Sequence, residues 1–194
     1  MAKSGGTLEI CRSSPSPKIS QRGLSLSYYR RSKQRGGTLD RFQRFIRILK
    51  AFAEKGVEYT LIGGVAVILH GFPRLTEDID ILLKADVQNI EKLKSALEEV
   101  FNDPSVKEIE LSDLKNYSVL RYGAPDGFYI DLITRLGEVA DYGNVASEKI
   151  NVEGVRIKVA TAEALYRLKK ESLRPKDQND ALFLKGKLEY LKKS

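Results

Sequence analysis

Sulfur and imidazole are almost missing from this 194-residue chain, which has one cysteine, Cys11, and one histidine, His70. A lone cysteine cannot close an internal disulfide, and a reduced, cytoplasmic setting fits it. One cysteine and one histidine also exclude zinc centres of the Cys/His kind. Long apolar runs are missing too, since none approaches the ~18 residues that a membrane span needs. No continuous apolar core follows a basic start, so a secretory signal is not expected. Internal repeats are absent. Acid is scarce in the first fifth of the chain, and this last scarcity decides how the net charge is read.

The chain carries 33 Lys and Arg against 26 Asp and Glu, a formal charge of +7. Residues 1–37 hold Lys3, Arg12, Lys18, Arg22, Arg30, Arg31, Lys33 and Arg35 against Glu9 alone, so the whole excess lies there. That segment is rich in Ser, Gly and Pro and has no apolar period. It cannot offset its ordering entropy by burial, so residues 1–38 are expected to be a disordered basic tail and residues 39–194 one domain. Three readings of the tail compete: a nucleic-acid-binding arm, with Tyr28 and Tyr29 beside Arg30 and Arg31 able to stack on bases; a bland solvated extension; or translation from an upstream start. The last is motivated by Arg35-Gly36-Gly37, codable by a purine-rich ribosome-binding stretch just before Leu39.

From Leu39 an amphipathic period sets in. Phe42, Phe45, Ile46, Leu49, Phe52 and Ala53 mark one face of a helix that Gly56 is placed to end, with Arg41, Arg44, Arg47 and Lys50 on solvated faces. Val57–Ile62 reads as a strand, Val65–His70 as a short buried helix, Thr76–Lys84 as a strand and 86–101 as a second amphipathic helix. Further strands are expected around Val106–Leu111, Tyr117–Tyr122, Phe128–Ile133 and Val152–Val159. The aromatic residues Tyr117, Tyr122, Phe128 and Tyr129 are expected to pack these strands, with the alternative that one of them holds a nucleotide base. Thr161 is a candidate N-cap for a helix over 162–172, and Pro175 suits the first turn of a last helix. Helices before, between and after strands indicate a mixed α/β (α+β) domain, a β-sheet flanked by helices and closed by C-terminal helices.

Asp78 and Asp80 stand two apart in a strand, so both carboxylates lie on one face while Ile79 and Ile81 point to the core. Two like charges side by side need a cation or a raised pKa, and a hard divalent metal prefers such oxygen ligands. Asp131 interrupts the apolar strand 128–133. If that strand neighbours the first, three carboxylates converge; otherwise Asp131 caps a loop or pairs with an arginine. Gly63-Gly64 lies between strand and helix, where free backbone N–H groups receive phosphate and a small residue lets it approach. A phosphate cradle followed by paired acids is what phosphoryl or nucleotidyl transfer requires. His70, ending the short helix, reads as a satisfied structural histidine.

Gly63-Gly64-Val65-Ala66, His70-Gly71, Arg74, Thr76 and Asp78-Ile79-Asp80 resemble the signature of the DNA polymerase beta-like nucleotidyltransferase superfamily. The glycine-to-acid spacing and the preceding Arg74 look most like the branch of abortive-infection (AbiEii-type) nucleotidyltransferase toxins. Lys169, then Arg174-Pro175-Lys176-Asp177 and Asp180, resemble that branch's C-terminal motif, so the likeness spans about residues 40 to 190. Small antitoxin-type members differ, with Gly-Ser in place of Gly63-Gly64 and a shorter gap to the acids.

The resemblance implies a nucleotidyltransferase fold and Mg²⁺- or Mn²⁺-dependent transfer of a nucleoside monophosphate from a triphosphate (NTP). Gly63 and Gly64 would meet the nucleotide phosphates. Asp78, Asp80 and Asp131 would ligate metal, and Asp131 would also take the acceptor's proton. Lys169 would reach the triphosphate, with Arg174 nearby. Arg74 would touch phosphate or pair with Glu77 or Asp78. Thr76, Lys176, Asp177 and Asp180 would support them. The acceptor stays open between a tRNA end or other RNA, a protein and a small-molecule hydroxyl. The alternative is a catalytically silent member that binds nucleotide or a partner protein, as in a toxin–antitoxin pair. No membrane association is expected.

Overall fold

The computed structural model describes residues 7–10 and 38–193. Helix α1 (Thr38–Lys55) presents Phe45, Ile48, Leu49 and Phe52 to the core, all buried. Gly56 ends it at φ +65°, a left-handed conformation that a glycine adopts without strain. Strand β2 (Tyr59–Ile62) follows, then the short helix α2 (Gly63–Leu69), which begins on the glycine pair itself. Strand β3 (Asp78–Leu83) leads to α3 (Val87–Phe101), whose N-cap Asp86 accepts a bond from the Asn89 N–H at 2.8 Å. Asn89 is buried and fastens two strands at once. Its amide donates to the carbonyls of Glu58 and Lys84, and its oxygen accepts from the Glu58 N–H at 2.7 Å.

After α3 the chain departs from expectation. The strand expected near Val106–Leu111 is instead a 3₁₀ turn over Pro104–Glu108 and a helix α4 (Leu111–Asn116). Asp103 is the cause: its carboxylate accepts from the Ser105 N–H and hydroxyl and from the buried Tyr122 hydroxyl, and Pro104 starts the turn. Strands β4 (Leu120–Gly123) and β5 (Tyr129–Ile133) come next, followed by a small ribbon of β6 (Arg135–Leu136) and β7 (Ala140–Asp141). The single strand expected over Val152–Val159 is a hairpin of β8 (Ser147–Val152) and β9 (Val155–Ala160). Glu153 and Gly154 both take positive φ in its two-residue turn, which matches the strand twist. Thr161 caps α5 (Ala162–Lys169) as its sequence suggests, and Pro175 opens α6 (Pro175–Leu191).

Among the described residues, seven strands form one mixed sheet in the order β1-β4-β5-β3-β2-β9-β8. Strand β1 (Thr7–Ile10) pairs antiparallel with β4, from Thr7 opposite Gly123 to Ile10 opposite Leu120. These four residues belong to the segment expected to be a tail; the rest of residues 1–37 lies outside the described residues. An edge strand offers unpaired backbone groups, and a short segment can satisfy them without any apolar period. The other expectations for the tail, including Tyr28–Tyr29, Cys11 and the upstream start, concern residues outside those described. The functionally decisive pair is β3 with β5, which are parallel neighbours with Asp80 in register with Asp131. Leu61, Ile79, Ile81, Ile130, Leu132 and Val159 are buried in the sheet's core. No helix of the described residues is long and apolar enough to cross a membrane.

Candidate active site

The register of β3, β5 and β4 sets Asp78, Asp80, Asp131 and Arg121 on one face, because residues two apart and residues paired across a ladder share a side. Ile79 and Ile81 point the other way and are buried. Burial, together with the charges of Asp78 and Asp131, pushes the Asp80 carboxyl up to about 6, against the opposing pull of the Gly64 N–H and Lys169. An acid held this way is a group that wants a cation beside it.

A Cβ at either glycine would meet a close neighbour, most severely at Gly63. Gly63 has φ +65°, and a Cβ there would overlap the Asp80 carboxylate. A Cβ on Gly64 would lie 2.7 Å from the Arg74 Nη2 and the Thr76 Oγ1. The Gly64 N–H donates to Asp80 Oδ2 at 3.3 Å, and the Thr76 hydroxyl donates to Asp78 Oδ1 at 3.0 Å. The close approach at Gly64 is thus made by Arg74 and Thr76, where the sequence suggested phosphate. The first turn of α2 has no side-chain cap, since Ile62 stands at its N-cap.

Arg74 pairs with Asp180 of α6 at 2.7 Å, rather than with Glu77 or Asp78. Through this contact the C-terminal motif reaches the glycine turn. Asp180 also pairs with Lys169 at 3.0 Å, and Lys169 pairs with Asp177 at 2.6 Å. Asp177 further accepts from the Ser172 hydroxyl and the Arg174 Nε. Burial alone would raise the Asp177 carboxyl, but Lys169, Ser172 and Arg174 hold it below its usual range. Lys169 is only 8% exposed, and its ammonium is engaged by two carboxylates that are themselves buried. Its charge still reaches Asp80. Asp180 keeps one buried oxygen, Oδ1, without a hydrogen-bond partner. Arg174 is half exposed and Lys176 lies on the surface.

Arg121 is the site residue that sequence reading missed. Its guanidinium grips Asp131 with two bonds, Nε to Oδ1 at 2.7 Å and Nη2 to Oδ2 at 2.8 Å. Nη2 also lies 3.6 Å from Asp78 Oδ2, and the group sits 5.5 Å from the ring centroid of Tyr129. The signal was present, for Arg121 interrupts the apolar strand around Leu120 and Tyr122 as Asp131 interrupts its own. Among the described residues no three Asp, Glu, His or Cys side chains are gathered as a ready metal cage. The donor set nonetheless fits a divalent cation. Asp78 and Asp80 are adjacent hard oxygen donors, Asp80 is raised by burial and by the charges of Asp78 and Asp131, and Asp131 stands in register beside it.

His70 closes α2 as a structural histidine. Its Nε2–H donates to the Ala160 carbonyl at 2.8 Å, and Lys187 donates to its own carbonyl.

The family model described as nucleotidyl transferase AbiEii toxin, Type IV toxin–antitoxin system, matches residues 47–177. Among solved structures, the lincomycin-bound lincosamide antibiotic adenylyltransferase LnuA is 21% identical at a TM-score of 0.53, covering 74% of this chain and 95% of its own. ANT(2")-Ia in complex with adenylyl-2"-tobramycin is 14% identical at a TM-score of 0.51, covering 77% of this chain and 90% of its own. At these identities the two show a shared fold. A comparison with curated proteins finds no match.

Proposed function

The chain belongs to the AbiEii nucleotidyltransferase toxin family, and from that premise we propose that it transfers a nucleoside monophosphate from an NTP to a hydroxyl acceptor with the help of Mg²⁺ or Mn²⁺. The observation that carries this reading is the register of Asp80 with Asp131, with Asp78 on the same face. Asp78, Asp80 and Asp131 would hold the divalent cation, which when bound offsets charge on the transferring phosphate and lowers the acceptor hydroxyl's pKa. Thr76 fixes the rotamer of Asp78, and the Gly64 N–H does the same for Asp80. Asp131, once released by Arg121, is the base that takes the acceptor's proton.

Gly63 and Gly64 place the uncapped first turn of α2 beside these acids, and we assign the triphosphate to that turn. Arg74 and Lys169 supply positive charge behind it, Lys169 from its fixed buried position. Arg174, with its exposed side chain, is the better placed of the motif's cations for direct contact. Asp177 and Asp180 orient these cations, and Lys176 remains peripheral. For the acceptor we favour an RNA or protein hydroxyl, as suits a toxin, over the small-molecule hydroxyls named for the two antibiotic-modifying enzymes of similar fold. We place the reaction in the cytoplasm, where triphosphates are at hand.

One observation favours a second reading, a silent member that binds nucleotide or a partner protein: Arg121 already neutralises the third carboxylate. Incubation with each labelled NTP, Mg²⁺ and total cellular RNA or protein decides between them. Label in one fraction supports transfer. Calorimetric NTP binding with no label anywhere supports the silent reading.

A further inference from the structure

Both oxygens of Asp131 are occupied by one guanidinium. Each oxygen keeps a second lone pair, but the guanidinium's positive charge stands between Asp131 and Asp78 and opposes a cation shared by the two. The grip is well built. Arg121 lies directly across the ladder from Asp131, Asp131 is only 7% exposed, and the face of Tyr129 flanks the guanidinium. Planar fork-to-carboxylate pairing of this kind is stronger than a point-charge contact. The same guanidinium leans toward Asp78, so it touches two of the three acids that repel one another when no metal is present.

We infer that Arg121 is a positioning residue that withholds Asp131, so that a divalent cation gains its third carboxylate in competition with the Arg121 guanidinium. This rests on the reading of Asp78, Asp80 and Asp131 as cation ligands. Arg121 has two effects on the site. It stabilises the acid cluster in the absence of metal, and it lowers the cluster's affinity for metal. Asp78 and Asp80 are then the entry point for the cation, and Asp131 joins late. The base that would take the acceptor's proton is therefore idle until metal has arrived.

The test is Mn²⁺ binding to the full chain, followed by electron paramagnetic resonance of free Mn²⁺ and by calorimetry, with no turnover needed. Arg121→Gln is expected to tighten Mn²⁺ binding about tenfold, as loss of a charged hydrogen bond worth ~1.5 kcal/mol would give. Arg121→Lys, which keeps the charge but loses the fork, should tighten it by a smaller factor, and it also serves if the glutamine variant fails to fold. In an Asp131→Asn background the Gln substitution should change affinity little, because the competition is gone. The inference is overturned if Arg121→Gln binds Mn²⁺ no tighter than wild type, or if it gains equally with Asp131→Asn present. If neither wild type nor Arg121→Gln binds Mn²⁺, the cation reading itself fails, and this inference with it.

Discussion

Replacing Lys169 by methionine separates a clasp from a substrate ligand. The ammonium lies 2.6 Å from Asp177 and 3.0 Å from Asp180, and all three side chains are almost wholly buried. Methionine fills similar volume, so little packing is lost, but two buried carboxylates lose a shared counter-charge. Removing one partner of a buried ion pair costs about 3–5 kcal/mol. Here Asp177 keeps Ser172 and Arg174, and Asp180 keeps Arg74, which points to the lower end. A loss of about 3 kcal/mol corresponds to a drop in Tm of roughly 6–12 °C for a domain of this size. Circular dichroism melts and urea titration at neutral pH measure it. The companion variant Lys169→Met with Asp177→Asn should recover part of the loss, because one uncompensated charge is removed with its partner. If Lys169→Met melts within a degree of wild type while nucleotide transfer is abolished, Lys169 acts on substrate alone and the clasp reasoning is wrong.

Gly63→Ala should be among the most damaging single-methyl changes, since the new Cβ would overlap the Asp80 carboxylate and φ is positive; loss of Mn²⁺ binding together with a lowered Tm checks it. His70 gives a pH dependence of known sign. Burial above all, and Lys187 in part, lower its pKa from the ordinary 6.5, outweighing its Ala160 bond and Glu148. Its contribution to stability is therefore complete above pH 6.5 and is lost as pH falls through the folded value. Urea titrations between pH 7.5 and 5.5 should show this loss, and His70→Gln should flatten it.

Much of this domain could be read from local pattern. Asp78 and Asp80 declared their shared face by their spacing, the glycine pair marked a strand-to-helix turn, and Thr161 and Pro175 marked helix starts. The errors came where a long-range partner decided the structure. Nothing near Pro104 announces that the Tyr122 hydroxyl will bond Asp103 and favour a turn over a strand. Glu153–Gly154 is a weaker hairpin signal than Asn-Gly, and apolar residues on both sides concealed it. Arg74 had two acids close in sequence, but its partner is Asp180 on α6. Arg121 stood in the sequence as a charge within an apolar strand, but its role became readable only once β4 and β5 were paired, because it depends on the residue opposite.

The most direct test of nucleotidyl transfer at the acidic face compares wild type with Asp78→Asn, each given α-labelled NTP, Mg²⁺ and the cellular fraction that accepts label. Asp78 is half-buried and on the edge of the cluster, so the amide should leave the fold intact, as the melting curve will report. The account predicts stable labelling of acceptor by wild type and none by Asp78→Asn at equal Tm. Undiminished labelling by Asp78→Asn would contradict it.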